Sequence, residues 1–502
     1  MTDTSNPDAL PDHVRVLVVG AGFAGLAVTE RMLRDDPAAD ILVIERAADV
    51  GGTWRDNTYP GCACDVPTAL YSFSFAPSPD WNHTFARQPE IHAYLRKVAA
   101  DKGIRDRVLT GCELLEASWD NGSALWRVRT SLGGLTAQAL VAATGALSTP
   151  RLPDVPGIGN FTGAMFHSAT WDHDYDLTGK RVAVIGTGAS AVQFVPEIAD
   201  RVDRLTVFQR TPTWVMPRGD RALTRLEKRL YRRIPLTQKI VRAAVYTCRE
   251  GYVLAMAKAP RVLPVFQLLA KAHLRRQVPD RALRHKLTPT FTITCKRILL
   301  SNDWLRTLAR DDVDLVDSGL SEVTEGGVVD GAGRETLVDA IIFATGFTPT
   351  EPPVAHQLRG RDGRTLAQHW SGSPRAYLGT TVAGFPNLFL MYGPNTNLGH
   401  SSIVYMLEAQ SAYINGALAH LAAGAGAAVE VHPAAQARYN ERIADQLHGT
   451  VWNTGGCSSW YLDKDGHNSV MWPTFTFRYR SRTKRFDSEN YQTRRTVQES
   501  VA

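Results

Sequence analysis

From Val14 to Val19 the chain is an apolar, β-branched run that stops at Gly20, and from Ala24 to Leu33 the apolar residues recur at helical spacing. A second apolar run, Ile41 to Ile44, ends at Glu45. Together they predict strand, tight turn, helix and strand, the context on which a glycine-rich nucleotide loop depends. From Glu113 to Thr130 apolar and polar residues alternate around Asn121-Gly122, which predicts a hairpin, and the following run closes in Ala143-Thr144-Gly145. The order then recurs. Arg181 to Ile185 predicts a strand entering a second glycine loop, a helical stretch follows, Leu205 to Phe208 predicts the next strand, and Ile341 to Phe343 closes in Ala344-Thr345-Gly346. A glycine loop answered by Ala-Thr-Gly thus occurs twice, the mark of a duplicated nucleotide-binding half. The fold class that follows is α/β, with two Rossmann-like dinucleotide-binding domains.

The two loops differ in what they select. The first, Gly20-Ala-Gly22-Phe-Ala-Gly25, has all three glycines: one for the tight turn, one for backbone approach to a pyrophosphate, one for packing helix on strand. Glu45 ends the second strand there, and a carboxylate accepts hydrogen bonds from ribose hydroxyls while repelling a 2′-phosphate. This site suits FAD or NAD. The second loop keeps Gly186 and Gly188 but has Ala191 third, and its second strand ends near Arg210-Thr211. A guanidinium grips a 2′-phosphate bidentately, so the inverted charge favours NADP. FAD in the first site and NADP in the second make a chain that passes hydride from one cofactor to the other.

At 502 residues, 44% of them hydrophobic, the chain is too long for one core. The expected organisation is an FAD-binding domain over 1–150 and 381–502, with an NADP-binding domain over 151–217 and 291–380 between its parts. A helical insertion over 218–290 interrupts the NADP domain, punctuated by Pro235, Pro260, Pro264 and Pro279. Between Arg221 and Lys286 it holds 17 Lys and Arg against 3 Asp and Glu, an excess of +14 in a chain whose total is +6. Two readings stand: peripheral contact with anionic lipid or partner proteins, or a solvated helical face with some residues near the nicotinamide nucleotide's phosphates. The first dozen residues and the stretch after Arg480 read as polar tails.

Nothing in the pattern matches a nucleic-acid module, and no apolar stretch is long enough to span a bilayer or act as a signal. A cytoplasmic location is expected. The six cysteines show neither CxxC nor a metal-ligand grouping, so no metal is expected and reduced thiols are the default. Cys62-Ala-Cys64 is either a strained redox pair or part of a plain loop.

Between the glycine loops, Phe161, Gly163, His167, Trp171 and Asp172 match FxGxxxHxxxW followed by Pro or Asp. Gly51, Gly52, Trp54, Tyr59, Pro60, Gly61 and Asp65 match a GGxW segment leading to an aromatic-Pro-Gly and an Asp. On these motifs, over nearly its whole length, the chain resembles the type I Baeyer-Villiger monooxygenases of the flavin-containing monooxygenase superfamily. Trp171 favours them over the sibling nitrogen- and sulfur-oxygenating enzymes, which more often carry Tyr or Phe there. The resemblance implies insertion of one oxygen atom of O2 beside a ketone carbonyl, through a flavin C4a-peroxide formed after reduction by NADPH. It places the active-site arginine at Arg297, in Cys295-Lys296-Arg297, with Asp65 orienting it; by itself Asp65 also reads as a turn cap. Lys296 would join Arg210 and Thr211 on the phosphate, or is a plain exposed lysine. His167 would couple the two domains, or is a hydrogen-bonded core histidine. Gly393 to His400 precedes a helix whose N-terminus faces the flavin, and Trp460 resembles the family's late tryptophan beside nicotinamide and substrate. The competing functions are an N- or S-oxygenase of the same fold, and an NADPH oxidase or pyridine-nucleotide disulfide reductase, the last disfavoured by the lack of CxxC.

Overall fold

Both apolar runs around the first glycine loop become buried parallel strands. The computed structural model describes residues 10–348, 350–424, 426–457 and 459–494. Its first part runs β1 (His13–Val19), α1 (Phe23–Asp35), β2 (Ile41–Glu45), α2 (Gln88–Asp101), β3 (Val108–Thr110), β4 (Leu114–Asp120), β5 (Leu125–Thr130) and β6 (Gly133–Ala142). β1 lies between β2 and β6, parallel to both, with Val18 opposite Val43 and Val141. Covered on both faces, such strands read as continuous apolar runs rather than alternations. β4 and β5 form the expected antiparallel hairpin, turned by Asp120, whose Oδ1 accepts from the Gly122 amide at 2.8 Å.

The second half repeats the plan with β7 (Ala164–His167), β8 (Arg181–Ile185), α3 (Ala189–Ile198) and β9 (Arg204–Phe208). The insertion follows as α4 (Arg225–Arg233), α5 (Pro235–Val253), α6 (Leu263–Gln277) and α7 (Arg281–Lys286). Pro235 and Pro264 sit in the first turns of their helices, where a missing amide costs nothing. The chain returns through β10 (Val313–Val316), a small antiparallel meander over 320–337, and β11 (Ala340–Phe343). Among the described residues this sheet has the order β10-β9-β8-β11-β7, all parallel.

The duplication has a steric cause. A Cβ on Gly20 would stand 2.7 Å from the carbonyl oxygen of Ala143, and one on Gly186 would stand 2.6 Å from that of Ala344. Each glycine loop is pressed onto the Ala-Thr-Gly that ends the adjoining strand, so the two motifs occur as a pair. Gly25 packs α1 on the loop so closely that a Cβ would overlap the carbonyl oxygen of Gly20, whereas Ala191 fills the matching place on α3, fully buried.

Three expectations change. The chain rejoins the first sheet well before position 381, as β12 (Leu358–Arg359), which pairs with Ala117 and Ser118 of β4; Val354, Leu366 and Ala376 share that core. A two-residue strand has no periodicity to betray it. After β13 (Leu388–Leu390) beside β6, α8 (Ile403–Ala422) and β14 (Ala428–Val431), the chain from Arg480 to Arg494 is not a tail, and the rest of that expected tail lies outside the described residues, as do residues 1–9 of the expected N-terminal one. α9 (Thr476–Thr483) leads to β15 (Tyr491–Arg494), which pairs with β14, and Tyr491 is buried among Tyr377, Tyr413 and Phe486. Third, the thiols are not all reduced: Cys295 and Cys457 are joined, with Cα atoms 6.1 Å apart at a sequence separation of 162. Only the folded chain brings them together. Among the described residues no single helix is long and apolar enough to cross a membrane.

Candidate functional site

The first glycine loop opens onto a cavity of about 270 Å³ walled by Gly20, Gly22, Glu45, Gly52, Trp54 and Leu407. Gly22 caps α1 with no side-chain hydrogen bond, which leaves the first-turn amides open to an anion. Gly52 faces Gly22 across the cleft, where an added Cβ would come 3.2 Å from the Gly22 Cα, and Gly51 N–H donates to the Ala21 carbonyl at 3.0 Å. Glu45 is buried at the end of β2, accepts from the Ala21 amide at 2.9 Å and pairs with Arg55 at 2.9 Å. Trp54 donates through Nε1 to the Tyr71 hydroxyl at 2.9 Å.

At the second loop Gly188 likewise leaves the first turn of α3 uncapped. Arg210 and Thr211 stand exposed just past β9, and Lys296 approaches from the far side of the insertion. Burial, and then the charge of Arg210, hold the Lys296 ammonium below its ordinary range. Two cations brought together, with no carboxylate paired to either among the described residues, suit a polyanion. Arg210→Ala is therefore expected to raise the Michaelis constant for NADPH about tenfold or more, the worth of a charge-assisted hydrogen bond, while that for NADH moves less than about twofold. Equal effects on both, measured by steady-state oxidation of each nucleotide, would remove the 2′-phosphate assignment.

Between the two nucleotide sites Arg297 meets Asp65, 232 positions away: Nε donates to Oδ2 at 2.6 Å and Nη2 to Oδ1 at 2.5 Å. Burial pushes the Asp65 carboxyl up, but the facing guanidinium and its hydrogen bonds outweigh this and hold it below the usual range. Asp65 in turn raises the guanidinium further, so Arg297 is charged at any working pH. The pair lies on the wall of a cavity of about 300 Å³, otherwise lined by Met216, Tyr252, Met256, Phe266 and Leu398, with Arg249 and His400 as further polar members. Arg297 keeps 40% of its side-chain surface, enough to meet a ligand without giving up Asp65.

A family model described as flavin-binding monooxygenase-like matches residues 13–248. A Baeyer-Villiger monooxygenase from Streptomyces coelicolor is 50% identical over 482 residues, 96% of this chain and 93% of that protein. This chain belongs to the Baeyer-Villiger monooxygenases. Among solved structures, cyclohexanone monooxygenase from Rhodococcus sp. Phi1 bound to NADP+ shares 28% identity at a TM-score of 0.84, over 97% of this chain and 100% of that one. OTEMO in complex with FAD and NADP shares 26% at 0.86, over 95% and 99%.

In this Baeyer-Villiger monooxygenase the two quoted motifs meet each other. Trp171 packs edge-on against Phe194 of α3 at 5.2 Å, and Phe194 against Tyr59 at 6.1 Å. Gln193, on the same helix, accepts from the Ala63 amide at 3.0 Å and donates to the Ala63 carbonyl at 3.0 Å. Gly61 admits this contact, since a Cβ there would lie 2.8 Å from the Gln193 carbonyl oxygen. His167 closes β7 within the second sheet; its Nδ1 accepts from the Ala169 amide at 3.0 Å and its ring meets Phe347. Burial holds that imidazole below its ordinary range. Cys62 and Cys64 are unbonded, and burial pushes the Cys62 thiol up to about 11 and Cys64 further, so they are inert thiols rather than a redox pair. Trp460 is half-exposed against Tyr461 and lines a small cleft with Tyr392 and Asn397.

The sequence did not single out Arg249, whose guanidinium lies 5.8 Å from the Tyr252 ring centre, nor the buried pair of Glu250 and His400. His400 Nε2 lies 3.2 Å from Glu250 Oε1, while its Nδ1, buried beside the cavity, has no hydrogen-bond partner among the described residues. The one visible sign of Glu250 was its rarity, one of three acids in a strongly basic segment.

Proposed function

We propose that this chain is an FAD- and NADPH-dependent monooxygenase that inserts one oxygen atom of O2 beside the carbonyl of an apolar ketone. The products are an ester or lactone, NADP+ and water. The observation that carries the reading is the Arg297 guanidinium, gripped by Asp65 through two hydrogen bonds on the wall of a cavity whose other sides are mostly apolar.

Both cradles fit their nucleotides. Gly20, Gly22, Gly25 and Gly52 leave room for the FAD pyrophosphate on the open amides of α1, with Glu45 on the ribose and Trp54 on the wall. Gly186, Gly188 and Ala191 would hold NADPH, with Arg210, Thr211 and Lys296 on its 2′-phosphate and Trp460 on the nicotinamide side. When bound, the reduced flavin activates O2. The rest falls to the side chains. A fixed guanidinium lowers the energy of the oxyanion that forms on the attacked carbonyl, and unlike a lysine it keeps its proton in a dry pocket. Asp65 keeps that fork aimed. The apolar walls exclude water and hold a ketone by its hydrocarbon part, a volume of about 300 Å³ suiting a small to medium substrate.

Holoenzyme supplied with NADPH, O2 and panels of ketones, sulfides and amines, with products followed by mass spectrometry, tests the reading. Esters or lactones are expected. Sulfoxides or N-oxides alone would assign it to the sibling branch, and hydrogen peroxide as sole product would make it an oxidase.

A further inference from the structure

The insertion turns two faces in opposite directions. Inward, Val253, Leu263, Ala270 and Leu274 are buried, and Tyr252, Met256 and Phe266 wall the cavity beside Arg297. Outward, α5 carries Leu236 and Ile240, the turn after it Leu254, and α6 carries Val265, Leu268 and Leu269, each between 52% and 66% exposed. Leu236 and Ile240 are four apart at the start of α5, and Val265, Leu268 and Leu269 are three and four apart on α6, so each set shares one side of its helix. Large side chains so exposed on consecutive helices are what a soluble monomer avoids. The other charged groups sharpen the picture. Arg229, Arg233, Lys239, Lys258, Arg261 and Arg275 are exposed with no ion-pair partner among the described residues, whereas Arg221, Arg232 and Lys286 have theirs.

We propose that the outward face of α5 and α6 docks on the surface of an anionic bilayer, with the apolar stripes set into the headgroup boundary and the unpaired cations at lipid phosphates. This goes beyond the oxygenation chemistry and does not depend on it. Apolar residues flanked by long basic side chains, whose stems lie along the hydrocarbon while their heads reach the headgroups, are the composition of an interfacial helix. Pro235–Lys258 and Pro260–Gln277 are apolar enough only when taken together, and their bend of 105° at the break, with inner faces buried in protein, suits lying on a bilayer rather than crossing it. A second copy of this chain is the poorer occupant, because it would bring an identical set of unpaired cations to the same face. Docking there would set the cavity wall against the phase in which apolar ketones concentrate.

The holoenzyme is expected to sediment with phosphatidylcholine vesicles containing about a third phosphatidylglycerol, and to release in about 0.5 M salt, where charge interactions reach only a few ångströms. Pure phosphatidylcholine vesicles should bind far less. Lys239→Gln with Lys258→Gln should weaken partitioning about fivefold per cation. Leu236→Asn with Leu268→Asn should weaken it roughly tenfold per side chain, with flavin absorbance and turnover of a water-soluble ketone unchanged. Because sedimentation needs no turnover, it decides the docking even if ketone oxygenation fails. No binding to anionic vesicles, equal binding to neutral ones, or unaltered binding by the leucine variants would overturn the proposal. So would dimerisation in solution that those variants abolish, which would give the face to a second copy.

Discussion

Arg297→Ala is expected to lower ester formation by about 10²–10³-fold, the cost of losing a donor aimed at a developing oxyanion, while NADPH still reduces the flavin at close to the parent rate. The split follows from placement. On the proposed assignment the glycine loops, Glu45, Arg210 and Lys296 seat the nucleotides, whereas Arg297 lines the cavity and is gripped by Asp65. Arg297→Lys should recover part of the activity at lower pH and lose it as pH rises, because an ammonium in an apolar wall can shed its proton. The Asp65 carboxyl titrates below the ordinary aspartate range. Its value in the folded chain lies below the unfolded one, so the pair is fully formed above the ordinary aspartate range and is lost only as pH falls through the lowered value. Activity between about pH 5 and 8 should therefore show no step from this pair. Stopped-flow reduction and product yield, measured on the same samples, separate the two roles. Slowed reduction with an unchanged yield per reduced flavin would remove Arg297 from oxygen transfer.

His400→Leu is expected to destabilise the holoenzyme by about 3–5 kcal/mol, the usual penalty for removing one partner of a buried ionisable pair. The His400 side chain is fully buried and that of Glu250 is 8% exposed. Glu250 also accepts from the Thr476 amide at 2.9 Å and the Thr476 hydroxyl at 2.7 Å, and Tyr246 reaches that hydroxyl at 3.0 Å. One carboxylate thus joins α5 of the insertion, the lead into α8 and the start of α9. Left without the imidazole it stays buried on two donors from a single residue. The paired change Glu250→Gln with His400→Leu removes the carboxylate but keeps an acceptor oxygen for the Thr476 amide, and should restore part of the loss. Thermal release of flavin reads both. If the double variant is as unstable as the sum of the singles, the cost lies in packing and not in the unpaired charge.

Those two pairs differ in how far the chain's order announced them. Gly20, Gly25, Gly186 and Glu45 were legible because their constraints are local: a loop, a strand end and a helix start lie within about 25 residues. Arg297 and Asp65 became visible through the family resemblance, since nothing in composition ties residues 232 positions apart. The pairing of Glu250 with His400 stayed hidden for the same reason, although His400 closes the segment that opens at Gly393. β12 was missed because a strand of two residues, closed by pairing to Ala117 and Ser118, has no pattern of its own. The chain beyond Arg480 looked solvated because its few aromatic residues, Phe486 and Tyr491, are spread among charges, yet these are the ones that reach the core.

The bond between Cys295 and Cys457 makes a closed covalent loop of about a third of the chain. Arg297 sits just inside one end of that loop and Trp460 just outside the other, so the arginine and the late tryptophan flank a single clasp. A protease that nicks the backbone anywhere between Cys295 and Cys457 should leave two fragments that migrate together until a reductant opens the clasp, and then come apart on a denaturing gel. For a site assembled from segments so distant, the clasp fixes their spacing independently of whether either nucleotide is bound.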